Sequence, residues 1–487
     1  MIRLNFQEGD IPALHPHLVE SHLRGRFIGK ALFEGLTRIN AEGEAELAGA
    51  ESVHISTCQT EYTFTLRDHH WSDGTPVSAF QYERAWKQAI APASDCGRAD
   101  LFYIIEGAKK GKEGTLPLDK VGIKALDNKT LHIKLNYAAP FFLKLIASPI
   151  FAPVERAEAE PAKFNGPFII DTWKRNNLLV LRKNFHFWDH DKVSLERIEV
   201  QMVDDPFTAL LMYEKRKIDW IGHPFCQLSS EMAIQLREKQ WLRQHPIALA
   251  LWIYLNNECP TLSSIKVRQS LSLAIDRSLI AGHIFPYSTP LYKPLPLCFS
   301  LCSNSLSDNN ISQSKHLFEA GLKEIELPKE LLPTLTLSYP NTAGHKQLAE
   351  YLQEIWGKVL GINISLKGTG WNVFRSYLEK GEYQLAISGM GALYADASEP
   401  LERFELTSPA NFPRWRNPAY QEKLGLARKN PQKRACLLGE AEQLLMDEMP
   451  FIPICNFDAL FAHIPQLKGY IFDHVGCLDL RWAYLER

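Results

Sequence analysis

This chain has many side chains capable of chemistry, but few stand at the spacings that chemistry needs. Gly107-Ala-Lys-Lys-Gly-Lys112 comes nearest to a phosphate loop, yet three residues separate its glycines where the cradle needs four, and Glu113 replaces the hydroxyl that would hold magnesium. It reads as a solvated turn. Gly368-Thr-Gly370 and Gly389-Met-Gly391 each lack the third glycine that lets a helix pack beneath a dinucleotide pyrophosphate. No G-x-S-x-G elbow and no H-E-x-x-H helix occurs, and the sixteen histidines form no zinc quartet. His15 with His17 and His69 with His70 could each hold a metal, but they read as incidental surface pairs. The nine cysteines (58, 96, 226, 259, 298, 302, 436, 455 and 477) are scattered and odd in number, as expected of reduced and mostly buried thiols. Cys298 and Cys302 sit close together in a Pro-flanked apolar loop, where a disulfide or a metal pair stays open beside the plainer reading of two ordinary thiols. The expectation is a protein without catalytic residues, metal or cofactor.

The elements that would position such groups are legible in the apolar periodicity. Tyr62, Phe64 and Leu66 alternate with polar residues as in a half-buried strand. Asp73-Gly74 supplies a turn, and Thr75 and Pro76 are expected at the cap and first position of a helix carrying Ala79, Tyr82, Trp86 and Ala89 on one face. Strands are expected at 131–135, 178–182 and 198–202. Helices are expected over 265–280, with Val267, Leu271, Ala274, Ile275 and Leu279 inward, and over 345–360, with Leu348, Leu352, Ile355 and Val359 inward and Gly361 as the stop. Strands and helices alternate throughout, so the class is α/β or α+β. The chain of 487 residues needs two or three lobes, and no Gly/Ser linker divides it, so the lobes should interleave through short crossovers. The stretch 286–310 reads as a long ordered loop.

Composition excludes several functions. A formal net charge of -2 provides no field for polyanionic nucleic acid. The longest apolar run, Ile247 to Leu255, is about half of the roughly 20 residues that span a bilayer, and Lys144 interrupts the next candidate. No apolar segment follows Met1, so no signal peptide is visible. Taken literally this means a cytoplasmic protein; a chain that starts at the mature domain is the alternative expectation.

Ordered motifs then point to a family. Leu32-Phe-Glu-Gly-Leu36, Trp71-Ser-Asp-Gly-Thr-Pro76, Asn165-Gly-Pro-Phe168 with Trp173 and Leu181-Arg-Lys-Asn184, Val267-Arg268 with Ala274-Ile-Asp-Arg277, Asn417-Pro-Ala-Tyr420 and Leu467-Lys-Gly-Tyr470 follow one another along nearly the whole chain. The set resembles the large solute-binding proteins of peptide ABC importers, solute-binding family 5. The resemblance implies an α/β, two-lobed periplasmic-binding-protein type II (Venus-flytrap) fold with an extra α/β domain. Lobe I would comprise 1–44, 166–252 and 469–487, the extra domain 45–165, and lobe II 253–468. It also implies a monomeric, periplasmic or extracytoplasmic protein, membrane-associated only through an ABC permease or a lipid anchor outside this chain. That protein would capture short peptides between its lobes and deliver them to the permease.

By the same resemblance Asp396 would meet the α-ammonium of a peptide; the alternative is an aspartate capping the turn before Glu399-Pro400. His345 is similar to a histidine near the ligand's carboxy end, or is simply a helix-start residue facing solvent. Trp371 resembles a tryptophan lining a side-chain pocket, with a core role as the alternative. Glu34, Trp252 and Tyr254 complete the implied ligand-binding set. Gly391, Ala392, Leu393, Tyr394 and Ala395 form a small-residue stretch against which a ligand backbone could lie as an added strand. The sequence departs from the family pattern in having no basic residue between 385 and 394 and no glutamate before Asn256-Asn257. A nickel complex, a glutathione-like ligand or a cell-wall peptide is therefore kept as an alternative in the same fold. A peptide hydrolase and a holder of extended chains are kept from other classes.

Overall fold

The computed structural model describes residues 1–7, 9–11, 13–19, 23–155, 162–301 and 304–486. The chain forms two compact units, 1–245 with 459–487, and 246–458. It passes between them twice, within strands Arg243–Leu255 and Phe451–His463. The crossovers are thus continuous strand rather than linker.

Within the first unit, one sheet has the order Ile2–Phe6, Arg197–Met202, Leu178–Lys183, Phe168–Lys174, its first pair parallel and the others antiparallel. A second sheet, Ala50–Ile55, Glu61–Leu66, Thr130–Lys134, Ile123–Ala125, is antiparallel throughout. Its strand Glu61–Leu66 buries Tyr62, Phe64 and Leu66, as the alternation requires. Helix Ala79–Ala89 buries Ala79, Tyr82, Trp86 and Ala89. It starts later than the sequence suggests: Ser78 is the N-cap, and Gln81 Oε1 accepts from the Ser78 backbone N–H at 2.9 Å. Thr75 instead donates its hydroxyl to Asp73, while Pro76 forms a β-bridge opposite His70.

The motif residues of this unit hold its segments together. Asn165 accepts from the Glu34 backbone N–H and donates to the Glu34 carbonyl, at 3.1 and 2.9 Å. A Cβ at Gly166 would lie 2.5 Å from the Phe33 nitrogen, so only glycine allows this approach.

In the second unit a sheet runs in the order Phe451–His463, Arg243–Leu255, Leu385–Gly391, Leu335–Pro340, Ile364–Thr369. The run Ile247 to Leu255 is its strand buried on both faces: Leu251, Ile253 and Leu255 enter the main core, while Trp252 and Tyr254 turn to the opposite face. Helix Ala343–Leu360 packs Leu348, Leu352 and Val359 into that core and ends on Gly361 at φ 74°. Ile355 is only partly buried.

The helix expected over 265–280 is broken. It runs Ile265–Leu273, then Asp276 accepts from the Leu279 N–H at 2.8 Å and opens a new turn that continues as a π-helical turn Ile280–Ile284. Leu279 consequently points outward. Arg277, fully buried in that break, donates to the Pro453 carbonyl and the Ser272 hydroxyl. Arg268 likewise donates to the carbonyls of Glu448 and Met449, satisfying groups left open at the end of helix Arg434–Glu448. Within 286–310 the described residues contain one short strand, Ser288–Pro290.

Candidate ligand-binding site

Strand Leu385–Gly391 is central to its sheet but unequally paired. Along one edge it is in register with Arg243–Leu255 from Leu385 opposite Leu255 to Gly391 opposite Leu249. Along the other it meets Leu335–Pro340 only at Leu385 and Ala386. From Ile387 to Gly391 that second edge has no strand partner among the described residues, which leaves main-chain donors and acceptors unclaimed by the sheet. Gly389 and Gly391 are both exposed, and a Cβ on either would meet nothing nearer than 3.7 Å. Neither glycine has a positive φ. Packing and backbone conformation therefore do not require glycine at these two places; both leave the main chain bare.

The chain continues through Ala392, buried, with its N–H donating to the Ala248 carbonyl, and through the half-buried Leu393, Tyr394 and Ala395. At Asp396 both carboxylate oxygens are engaged. Arg434 Nη2 donates to Oδ1 at 2.5 Å and Nη1 to Oδ2 at 3.1 Å, and the Ser398 N–H donates to Oδ1 at 2.8 Å. The turn-capping role is thus present, together with an ion pair that the sequence did not suggest. At the other end of the segment Arg403 donates to the Gly391 carbonyl at 2.7 Å and is held by Glu399 Oε1 at 2.6 Å. Arg428 joins Glu402 and Glu405 in the same cluster.

The other expected residues fall in different environments. Trp371, first residue of helix Trp371–Lys380, is 55% exposed, which removes the core alternative. His345 lies in the first turn of its helix, as one reading held, but it is half-buried rather than solvent-facing. Its Nδ1 is 2.6 Å from the Thr342 hydroxyl and its ring faces Phe285, and burial lowers its pKa to about 4. Trp252 and Tyr254 are buried in an aromatic cluster with Phe404, Phe412 and Phe451. The Trp252 indole nitrogen has no hydrogen-bond partner among the described residues.

Glu34 belongs to the other unit and is fully buried. Arg481 donates to it at 2.5 Å while also binding Asp479 at 2.8 Å. This is an internal ion cluster, so Glu34 is a framework residue of the first unit. Second-unit residues Asp396, Tyr254, Trp252, Trp371, His345 and 391–395 therefore share one unit, and Glu34 does not.

The remaining near misses resolve physically. Gly107 caps a single helical turn, Ala108–Lys112, with Lys109 and Lys110 exposed. His15 and His17 are not a surface pair. Both are buried with ring centroids 4.6 Å apart, and desolvation lowers them to about 4 and about 3. His69 is buried and His70 exposed, so they do not form a surface pair. No group of three or more metal-ligating side chains occurs among the described residues. Cys96, Cys226, Cys259, Cys455 and Cys477 are buried free thiols, whereas Cys58, Cys298 and Cys436 are exposed. Cys302, and with it the suggested pairing to Cys298, lies outside the described residues.

Fold and site together define a binding protein of the α/β, two-lobed type II periplasmic class, and the comparisons give its family. Residues 44–412 match the bacterial extracellular solute-binding proteins, family 5. The chain belongs to this family and is a solute-binding protein. It is 34% identical to the oligopeptide-binding protein OppA of Bacillus subtilis, over 97% of this chain and 91% of that relative. It is 27% identical to the probable deoxycholate-binding periplasmic protein YgiS of Escherichia coli, over 95% and 89%. The structure of the murein tripeptide binding protein MppA of Escherichia coli superposes with a TM-score of 0.82 at 24% identity, covering 100% of this chain and 98% of that one. No helix among the described residues is long and apolar enough to cross a membrane.

Proposed function

We propose that this chain is a non-enzymatic, extracytoplasmic receptor that takes short peptides as an added strand along the free edge of Ile387–Gly391 and hands them to an ABC permease. The observation that carries this reading is the half-paired strand ending in two glycines that the fold itself does not require. An extended peptide satisfies such an edge through main-chain hydrogen bonds, which read backbone shape and tolerate varied side chains. Exposed Trp371 supplies an apolar surface for ligand side chains, and half-buried His345 a polar one. The names of relatives, oligopeptide-binding among them, support the same ligand class and the extracytoplasmic location.

The proposed organisation places lobe I at 1–44, 166–252 and 469–487, the extra domain at 45–165 and lobe II at 253–468, in a protein that acts as a monomer. The two four-stranded sheets of the first unit each lie wholly within one of these divisions, which supports the boundary near 165, while the hairpin of Thr37–Ile39 with Ala45–Leu47 spans the one at 44/45. A second reading, a non-peptide ligand on the same scaffold, is favoured by one observation: a full-length relative carries the name of a bile-acid binder. Mass spectrometry of small molecules released from the natively purified protein tests the two. Peptides of a few residues are expected; a steroid acid or a metal complex alone would overturn the peptide reading.

A further inference from the structure

Helix Pro206–Glu214 of the first unit is apolar on both sides. Its inner side places Ala209, Leu210 and Tyr213 in a core with Met232 and Leu236 of helix Ser230–Glu238. On the outer side Phe207 and Leu211, one turn apart, are 55% and 53% exposed. A single exposed leucine would need no explanation. Here Trp241, 39% exposed, joins them at the end of the helix, where its ring meets that of Tyr213 at 5.8 Å. The same end is basic. The chain leaves the helix as Lys215-Arg216-Lys217 and folds back on it, the Arg216 N–H donating to the Tyr213 carbonyl at 2.9 Å and the Lys217 N–H to the Met212 carbonyl at 2.8 Å. Arg243, two residues after Trp241, is near enough for its charge to act on the Tyr213 hydroxyl. All four cations are exposed, and none makes an ion pair among the described residues.

The neighbouring carboxylates are already taken. Lys239 and Gln235 hold Glu214, Arg3 holds Asp219, and Asp204 and Asp205 lie at the opposite end of the helix, Asp205 as its cap. Only Glu238, three residues before Trp241, faces the four cations without such a partner among the described residues, so positive charge stays in excess. Cations at a helix end favour its dipole, which accounts for Lys215. It accounts neither for Arg243 nor for the apolar side chains beside them. Hydrated cations beside exposed aliphatic groups and a tryptophan are the combination that an anionic phospholipid surface receives: the cations stay among the phosphates, the indole sits at headgroup level and the aliphatic groups reach the acyl boundary. Lysines are depleted at protein interfaces, where they would have to be desolvated. We propose that this end of the first unit binds an anionic phospholipid surface, a membrane contact made by the chain itself. It rests on the extracytoplasmic location above and not on the identity of the ligand, and it would hold the receptor beside its permease.

The test sediments the full chain with vesicles of phosphatidylcholine alone, or with about one-third phosphatidylglycerol. Binding at least about tenfold tighter to the anionic vesicles is expected, and it should weaken as salt screens the attraction. Each cation near such a surface adds roughly fivefold. A variant carrying Lys215→Gln, Arg216→Gln and Lys217→Gln should therefore bind about a hundredfold more weakly, whereas Leu211→Gln should cost about fivefold and leave the salt dependence unchanged. Removing three exposed lysines elsewhere, by Lys109→Gln, Lys110→Gln and Lys124→Gln, changes net charge equally and should alter binding by less than about threefold. An equal loss in that control would overturn the inference, as would full binding by the first variant. No preference for anionic vesicles would overturn it too and leave the patch to a protein partner, while peptide retention, measured separately, would still decide the ligand reading. All substituted side chains are exposed, so each variant should keep its melting temperature; binding lost only with a lowered melting temperature would count against the proposal.

Discussion

Asp396 and Arg434 are 38 positions apart, and nothing in their spacing ties them together. The aspartate was visible in the sequence through its motif, but the arginine, at the start of a helix full of charged residues, was not. Arg403 was not singled out either, although it stands four residues after Glu399 and makes the ordinary pair across one helical turn. Glu34 gives the same lesson. Its motif was visible in the sequence, but its partner Arg481 arrives from the far end of the chain. A sequence motif marks a residue; the charge that meets it is decided by tertiary structure. Glu402 gives a prediction at this scale. Burial, opposed by Arg428, raises its pKa from the ordinary 4.5 to about 7, so the folded state holds the proton more tightly than the unfolded chain. Its contribution to stability is therefore full below pH 4.5 and is lost as pH rises to about 7. Glu402→Gln should abolish that part of the pH dependence, on the order of 3 kcal/mol, in denaturation curves between acid and neutral pH. Identical pH profiles for the two proteins would contradict the account.

At the scale of elements, the long apolar patterns were the reliable ones. Strand Glu61–Leu66 and helix Ala343–Leu360 form where periodicity places them, because each has one face that must be buried and a clear stop. The failures came where short polar side chains compete with the backbone. Asp276 captures the Leu279 N–H and cuts one expected helix in two, while Asp73 occupies Thr75, so that capping passes to Ser78 and Gln81. Likewise the free edge of Leu385–Gly391 could not be read from the sequence, because an unpaired edge is a property of neighbouring strands. The sequence did mark it indirectly through its glycines. Gly391→Val tests that element. The added Cβ meets only ordinary contacts in the ligand-free protein, so the melting temperature should be nearly unchanged, while peptide retention should drop by about tenfold as the valine methyls, which project from the sheet face, crowd the ligand side chains beside them. Undiminished retention would place the ligand elsewhere.

For the whole molecule, the ordered motifs identified the family because they serve the scaffold. Trp71 donates to Gln81, Asn165 ties itself to Glu34, Arg268 and Arg277 satisfy buried carbonyls, and Asn417 caps the helix that carries Tyr420. Such residues fix a fold and leave the ligand open, so family and fold were legible while the recognition site was only partly so. The interleaved path was legible too. A chain of this length without a flexible linker must pass between its compact units inside regular structure, and it does so in two long strands. The central claim is that a peptide completes the sheet of the second unit. Amide hydrogen exchange across 385–395, with and without the peptide library, measures this most directly. Slowed exchange on peptide addition is predicted within Ile387–Gly391, with the core strand Arg243–Leu255 unchanged. Unaltered exchange at Ile387–Gly391 in a protein shown by dialysis to hold peptide would contradict it.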